Sequence, residues 1–194
     1  MTDKELYDKM QERILDMINP EVDYTQDDFD KEFGSLDTPN YNFLDKIKFN
    51  FVNKSKNPSP EYATDGSAGF DLRADLEEPL TLNCGERIVV PTGLFFEIPQ
   101  NFEMQIRPRS GLAANFGITV LNSPGTVDSD YRGEIKVILI NHGRESFVIN
   151  NGDRIAQAII SSVVSKNFIS FNQVSEISND TQRSSGGFGS TGLR

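Results

Sequence analysis

The segment Asn122–Gly133, NSPGTVDSDYRG, lies between two β-branched apolar runs, Gly117–Leu121 and Glu134–Ile140. Strand, turn, strand is the natural assignment, because apolar runs separated by Gly, Pro, Asn and Asp close into hairpins. Pro124-Gly125 and Asp128-Ser129-Asp130 supply the turn chemistry. Alone, such a loop reads most simply as a solvated hairpin tip. It also carries Asp128, Asp130, Tyr131 and Arg132 on a polar turn that can face a ligand. We read it as an active-site hairpin, and the segments on either side carry that reading.

Outward from the hairpin the chain is strand after strand. Short apolar runs recur at 68–72, 88–90, 94–98, 102–106, 118–121, 135–140, 147–149, 155–164 and 168–174, with Gly, Pro, Asn or Asp in nearly every gap. That spacing predicts an all-β barrel or two-sheet roll. Ile47, Phe49 and Phe51 alternate with Lys48, Asn50 and Val52 as in a half-buried strand, so the β-domain is expected to span 46–175. The one helix expected in it is short, Gly111–Phe116. No internal repeat of fixed period occurs.

Residues 1–45 read as a separate extension. Leu6, Met10, Ile14, Met17 and Ile18 recur at spacings of three and four until Asn19-Pro20 stops them. An amphipathic helix is therefore expected at about 3–18, packed on its own domain or offered to a protein partner. An acidic, aperiodic linker follows. The extension holds 13 acids against 4 bases, and the remaining 149 residues hold 16 against 15. The net charge of −10 thus sits almost wholly in the extension, and the arginines of the nearly neutral body can serve a compact polyanion. No Lys/Arg cluster with interleaved aromatics marks a nucleic-acid surface. A single cysteine, Cys84, and a single histidine, His142, exclude an intrachain disulfide and a four-ligand Cys/His zinc site, and fit a reducing compartment. No run of about 18 apolar residues occurs and the N-terminus is acidic, so neither a membrane span nor a secretory signal is expected. The expected location is the cytoplasm, or the host-cell cytoplasm for a viral gene.

Four further segments bear polar groups in patterned places. Ala68–Ala74, AGFDLRA, sets Asp71 inside a strand, where a structural acid would be buried against an arginine such as Arg73 or Arg132. Pro108–Ala114, PRSGLAA, puts Arg109 and Ser110 just before the short helix, where outward backbone N–H groups suit an anion. The plainer reading of Arg109 is a surface turn. Gly152–Gln157, GDRIAQ, opens a strand with a turn. Arg183–Gly192, RSSGGFGSTG, has the composition of a flexible tail. Yet Arg183 and Phe188, spaced along a glycine tract, can close over a nucleotide, one on phosphate and the other on the base.

In order and spacing these five segments resemble the five motifs of the trimeric deoxyuridine triphosphate nucleotidohydrolase family, the dUTPases. The resemblance covers about Ile47–Gly192, and the leader PEYATDGS, Pro60–Ser67, is similar to that of bacterial and viral members. It implies a jelly-roll-like β-barrel, a homotrimer, and three interface sites each closed by a C-terminal tail from another subunit. It implies that Asp128 is the water-activating base and that Tyr131 packs under the deoxyribose, excluding a 2′-hydroxyl. Asn122 and the hairpin backbone at Gly125, Thr126 and Val127 would read uracil. Arg109, Ser110, Gly111 and Gln157 match phosphate contacts, while Arg183, Phe188, Gly189, Ser190 and Thr191 belong to the closing tail. Asp71 and Arg132 match supporting positions, Asp71 acting behind the substrate or through metal-bound water.

The implied reaction is hydrolysis of dUTP to dUMP and pyrophosphate by in-line water attack on the α-phosphate. It keeps uracil out of DNA and supplies dUMP for dTMP synthesis. Mg2+ would be held by triphosphate oxygens and water, since the chain lacks a dense acidic cage. Ser184 departs from the family's pattern, standing where a glycine usually follows the tail arginine; a left-handed backbone there would strain a serine. The dCTP deaminases share the fold, but here Ser110 is followed by Gly111-Leu112-Ala113-Ala114, without the arginine that deamination uses. A nucleotide-gated binding role, with the extension engaging a partner, would be additional to hydrolysis. Ordering a residue costs roughly 1–2 kcal/mol, so the tail, 176–194, is expected to order only when triphosphate contacts offset that cost.

Overall fold

Residues 47–187 are described by the computed structural model. The helix expected at 3–18, the linker after it, and Phe188, Gly189, Ser190 and Thr191 lie outside the described residues. Ten strands alternate with turns: β1 (Asn50–Asn53), β2 (Phe70–Arg73), β3 (Leu80–Leu82), β4 (Arg87–Glu97), β5 (Phe102–Arg107), β6 (Ile118–Val120), β7 (Gly125–Val127), β8 (Glu134–Asn141), β9 (Phe147–Ile149) and β10 (Arg154–Ser162). One α-helix, α1 (Ser110–Phe116), interrupts them between β5 and β6. One four-stranded sheet runs β1-β4-β8-β6, a second runs β2-β10-β5-β7, and β3 pairs with β9 in a ribbon. Every pairing is antiparallel.

Period-2 alternation decides which face each strand buries. In β8, Ile135, Val137 and Leu139 point inward and are essentially inaccessible, while Lys136 faces out. Met104 and Ile106 of β5 and Leu72 of β2 do the same from the second sheet. Their side chains meet in one apolar core that also takes Val90, Ile118, Ile149 and Ile155. This is the all-β, jelly-roll-like architecture expected from the spacing of the apolar runs.

Four details depart from the sequence reading. The runs 88–90 and 94–98 belong to one strand, β4, bent by a register shift between Pro91 and Phe95. Gly93 makes the bend at φ 68°, and a Cβ there would strike Ser55 and Asp75. The first strand covers Asn50–Asn53 only, because its single neighbour β4 offers partners from Leu94 to Glu97. Ile47 and Phe51, expected to be inward, are 47% and 42% exposed. The loop inside the hairpin is not merely polar: Gly125–Val127 forms β7 and pairs with β5 in the opposite sheet. Finally, 168–174 forms no strand. Beyond Ser162 the chain leaves β10, whose two sides are already taken by β2 and β5, and an apolar run without a partner edge has no ladder to join. Phe168 and Phe171 stand 82% and 98% exposed.

Candidate active site

Sheet register gathers three of the five motifs at one end of the second sheet. Asp71 of β2 lies directly opposite Gln157 of β10, and Gln157 lies opposite Arg107 at the end of β5. Directly opposed residues share a face, so these side chains project from the same outer surface. Pro108 then turns the chain and places Arg109 at the N-cap of α1.

Asp71 is the hub of this end. One carboxylate oxygen pairs with Arg109 Nε at 3.0 Å and the other with Arg154 at 3.1 Å. A second Arg109 nitrogen donates to the carbonyl of Arg154 at 2.8 Å. The Gln157 amide donates to the Pro108 carbonyl at 2.8 Å, tying β10 to the Arg109 turn. One acid against two arginines leaves this cluster with a net positive charge, in the open, suited to an anion. Neither arginine expected beside Asp71 is there: Arg73 donates to the Gly152 carbonyl, and Arg132 to the carbonyls of Ser129 and Tyr131. The acid is not buried either, its side chain being 28% exposed. The register shift at Arg154 in the β2–β10 pairing decides which guanidinium reaches Asp71. Arg154 is the member of this cluster that sequence reasoning passed over; its only signal was its place in the GDRIAQ segment.

The hairpin residues assemble at the other end. Asp128 follows β7, and Tyr131 N–H donates to the Asp128 carbonyl at 3.1 Å, closing a tight turn. Among the described residues nothing hydrogen-bonds the Asp128 carboxylate, which is exposed and free to act as a base. The Tyr131 hydroxyl donates to the Glu134 carbonyl at 3.0 Å, laying the ring back over Gly133. A Cβ on Gly133 would collide with the tyrosine ring and hydroxyl. Glu134 is fixed in turn, accepting from Gly93 N–H at 2.9 Å, so the bend in β4 braces the base of the hairpin. Asn122 lies over buried Gly125, where an added Cβ would sit 3.1 Å from the Asn122 amide. Asp128, Tyr131, Thr126, Lys136 and Ile138 line an open depression of about 260 Å³.

Among the described residues no hydrogen bond or ion pair joins the two halves. Val127 faces Met104 on β5, and Arg109 lies five residues further along the chain, beyond the end of β5 and the turn at Pro108. Ser110 and Gly111 stay with Arg109 at the start of α1. Of the tail, Arg183 is described: its Nε donates to the Gly186 carbonyl at 2.9 Å, and Ser184 holds φ 44°. Among the described residues no three His, Cys, Asp or Glu side chains converge as metal ligands. The Asp71 carboxylate, bonded once at each oxygen, keeps lone pairs that fit a water on a divalent ion.

A β roll with an arginine–carboxylate cluster at one sheet end and a carboxylate-bearing hairpin at the other suits a phosphorylated small molecule. The sequence matches the dUTPase family over residues 55–192, and the chain belongs to that family. It is 57% identical over 133 residues to the deoxyuridine 5'-triphosphate nucleotidohydrolase of Chlamydia pneumoniae, covering 69% of this chain and 90% of that protein. To the same enzyme of Rickettsia bellii it is 60% identical over 134 residues, covering 69% and 87%. Among solved structures, the dUTPase of Staphylococcus bacteriophage 80alpha with dUPNHPP aligns with a TM-score of 0.68 at 22% identity, over 76% of this chain and 100% of that one. A dUTPase from phage phi11 of S. aureus, described as coordinating a structural Mg(II) ion, aligns at 0.60 and 20% identity, over 67% and 98%. At such identities the two phage structures speak for the fold alone.

Proposed function

We propose that this chain hydrolyses dUTP to dUMP and pyrophosphate, and that a complete site is built from more than one copy of it. The hydrolysis follows from membership of the dUTPase family and from relatives that share over half their residues with it. The observation that carries the assembly is the separation of the Arg109 cluster from Asp128 along β5. A homotrimer closes that gap by setting the hairpin of one copy against the arginine end of the next. One surface favours it: the Phe168–Ile177 arm exposes a run of apolar side chains, Phe168, Ile169, Phe171, Val174 and Ile177. Exposed apolar area of this kind marks association sites.

In the assembled site Asp128 takes the proton from a water in line with the α-phosphorus, and the leaving pyrophosphate departs on the opposite side. Arg109, Ser110, Gly111 and Gln157 hold the phosphates, Arg109 being aimed by Asp71. Phosphoryl transfer is catalysed mainly by such positioning and charge stabilisation. Tyr131, held down by the Glu134 carbonyl, occupies the space a ribose 2′-hydroxyl needs. Asn122 and the backbone of Gly125, Thr126 and Val127 read the uracil edge, and Arg132 braces the turn that carries Asp128. Bound through the triphosphate and water, Mg2+ would supply neutralisation of charge on the leaving group. Arg183, Phe188, Gly189, Ser190 and Thr191 close the tail over the nucleotide. The work is cytoplasmic, removing dUTP from the DNA precursor pool and supplying dUMP. Residues 1–45 are an acidic extension, 46–175 the catalytic β-domain and 176–194 the closing tail.

Pyrophosphate release by the purified protein with magnesium, from dUTP against dTTP, dCTP and UTP, tests the reading. Release from dUTP alone is expected. Equal release from UTP would remove Tyr131 from its role, and release from none would overturn the proposal.

A further inference from the structure

β5 carries a polar ladder that the reaction described above leaves unused. Glu103, Gln105 and Arg107 alternate with inward Met104 and Ile106, so all three project from the outer face of the second sheet. Gln105 Nε2 donates to Glu103 Oε1 at 2.6 Å. Gln105 Oε1 accepts from Arg107 twice, from Nε at 3.1 Å and from a terminal nitrogen at 2.5 Å. The carboxylate fixes which way the amide faces: a flipped amide would turn its oxygen to Glu103 and its N–H groups to a guanidinium, both repulsive. The amide then fixes the guanidinium. Arg107 is thereby held on the same row as Gln157 and Asp71, next to the phosphate-binding end.

Its charge is also uncommitted. Arg109 and Arg154 share the Asp71 carboxylate, whereas among the described residues Arg107 is bonded to a neutral amide. The Asp71 cluster alone sums to +1, and Arg107 raises this end of the sheet to +2. A nucleoside triphosphate brings several negative charges to that place.

We infer that Arg107 is a further triphosphate-binding residue, oriented through Gln105 by Glu103. The inference rests on the dUTP reading and deepens it. It assigns Gln105 and Glu103 as positioning residues that act only through Arg107. The guanidinium contributes charge and hydrogen bonds to the outer phosphates, so its removal weakens triphosphate binding far more than monophosphate binding.

The test compares wild type with R107Q, R107K and Q105L in steady-state dUTP hydrolysis, and in binding of a non-hydrolysable dUTP analogue and of dUMP. R107Q is expected to raise KM for dUTP and Kd for the analogue about tenfold, the loss typical of a hydrogen bond to a charged group, with dUMP affinity unchanged. R107K, keeping the charge but not the fork, recovers part of that loss. Q105L gives a smaller effect of the same kind. Equal KM in R107Q and wild type overturns the inference, as does a loss shared equally by dUMP and the analogue, or a change in oligomeric state without a change in KM. Wild type that fails to hydrolyse dUTP refutes the underlying reading instead, and the two failures are separate.

Discussion

Replacing Ser184 by glycine should tighten the closed tail. Ser184 sits at φ 44°, in the left-handed region that an L residue with a Cβ disfavours. Its N–H donates to the Thr181 carbonyl and hydroxyl at 3.1 and 3.0 Å, and its own hydroxyl donates to Asn179 Oδ1 at 3.0 Å. Gly186 N–H reaches back to the Arg183 carbonyl at 2.9 Å, so the turn that presents Arg183 depends on this backbone angle. A left-handed conformation costs a residue with a Cβ about 1–2 kcal/mol, and glycine nothing comparable. Against that relief, glycine widens the open ensemble by about 0.4–1 kcal/mol. It also loses the Asn179 bond, which is solvent-exposed and contributes at the low end of about 0.5–1.5 kcal/mol. With the strain and ensemble terms at mid-range and the bond at its low end, the strain term wins by about 0.3 kcal/mol, a gain of about 1.6-fold where tenfold is about 1.4 kcal/mol. Calorimetric titration with a non-hydrolysable dUTP analogue should show that gain in S184G, dUMP binding should not move, and the bound tail should resist protease better. An S184G variant that binds the analogue no tighter than wild type, or gains equally for dUMP, would refute the strain argument.

Asp128→Asn should keep analogue binding while turnover falls about 10²–10⁴-fold, the usual weight of a positioned base; single-turnover hydrolysis beside a binding titration checks it. Gly133→Ala should push the Tyr131 ring off its seat, and the ratio of kcat/KM for dUTP over UTP should fall at least several-fold. Unchanged discrimination would detach Tyr131 from sugar selection. Asp71→Asn should cost less than about 1 kcal/mol in urea unfolding, because its ion pairs are partly exposed, yet raise KM for dUTP as Arg109 loses its aim. A large stability loss with normal KM would make Asp71 structural.

The strands that alternate over several residues and pair on both sides were legible: β8 announces its inward Ile135, Val137 and Leu139, and β5 its Met104 and Ile106. The short helix was legible too, within a residue. What failed was anything decided by a partner. Phe168–Val174 has the residues of a strand, but a strand exists only where an edge is open to it. β7 is three residues inside a turn-rich loop, too short to show a period, and only its pairing with β5 makes it a strand. The site divides in the same way. The turn chemistry and the polar residues of the hairpin could be read directly, and the resemblance supplied roles for Arg109, Asp128 and Tyr131. Which arginine clamps Asp71 depends on a one-residue shift in the β2–β10 register, and no composition or motif encodes that. The Glu103–Gln105–Arg107 ladder shows only as alternate polar positions along a strand until the side chains are placed.

The separation of Arg109 from the Asp128 hairpin bears on genetics as much as on chemistry. In the proposed assembly, a copy defective at Arg109 still has a sound hairpin to lend, and a copy defective at Asp128 still has a sound arginine end to receive one. Two alleles, each inactive alone, would therefore restore activity to each other in mixed trimers, whereas two different lesions in the same half would not. Lesions around Arg109 and lesions in the Asp128 hairpin would sort into two complementation groups within a single gene.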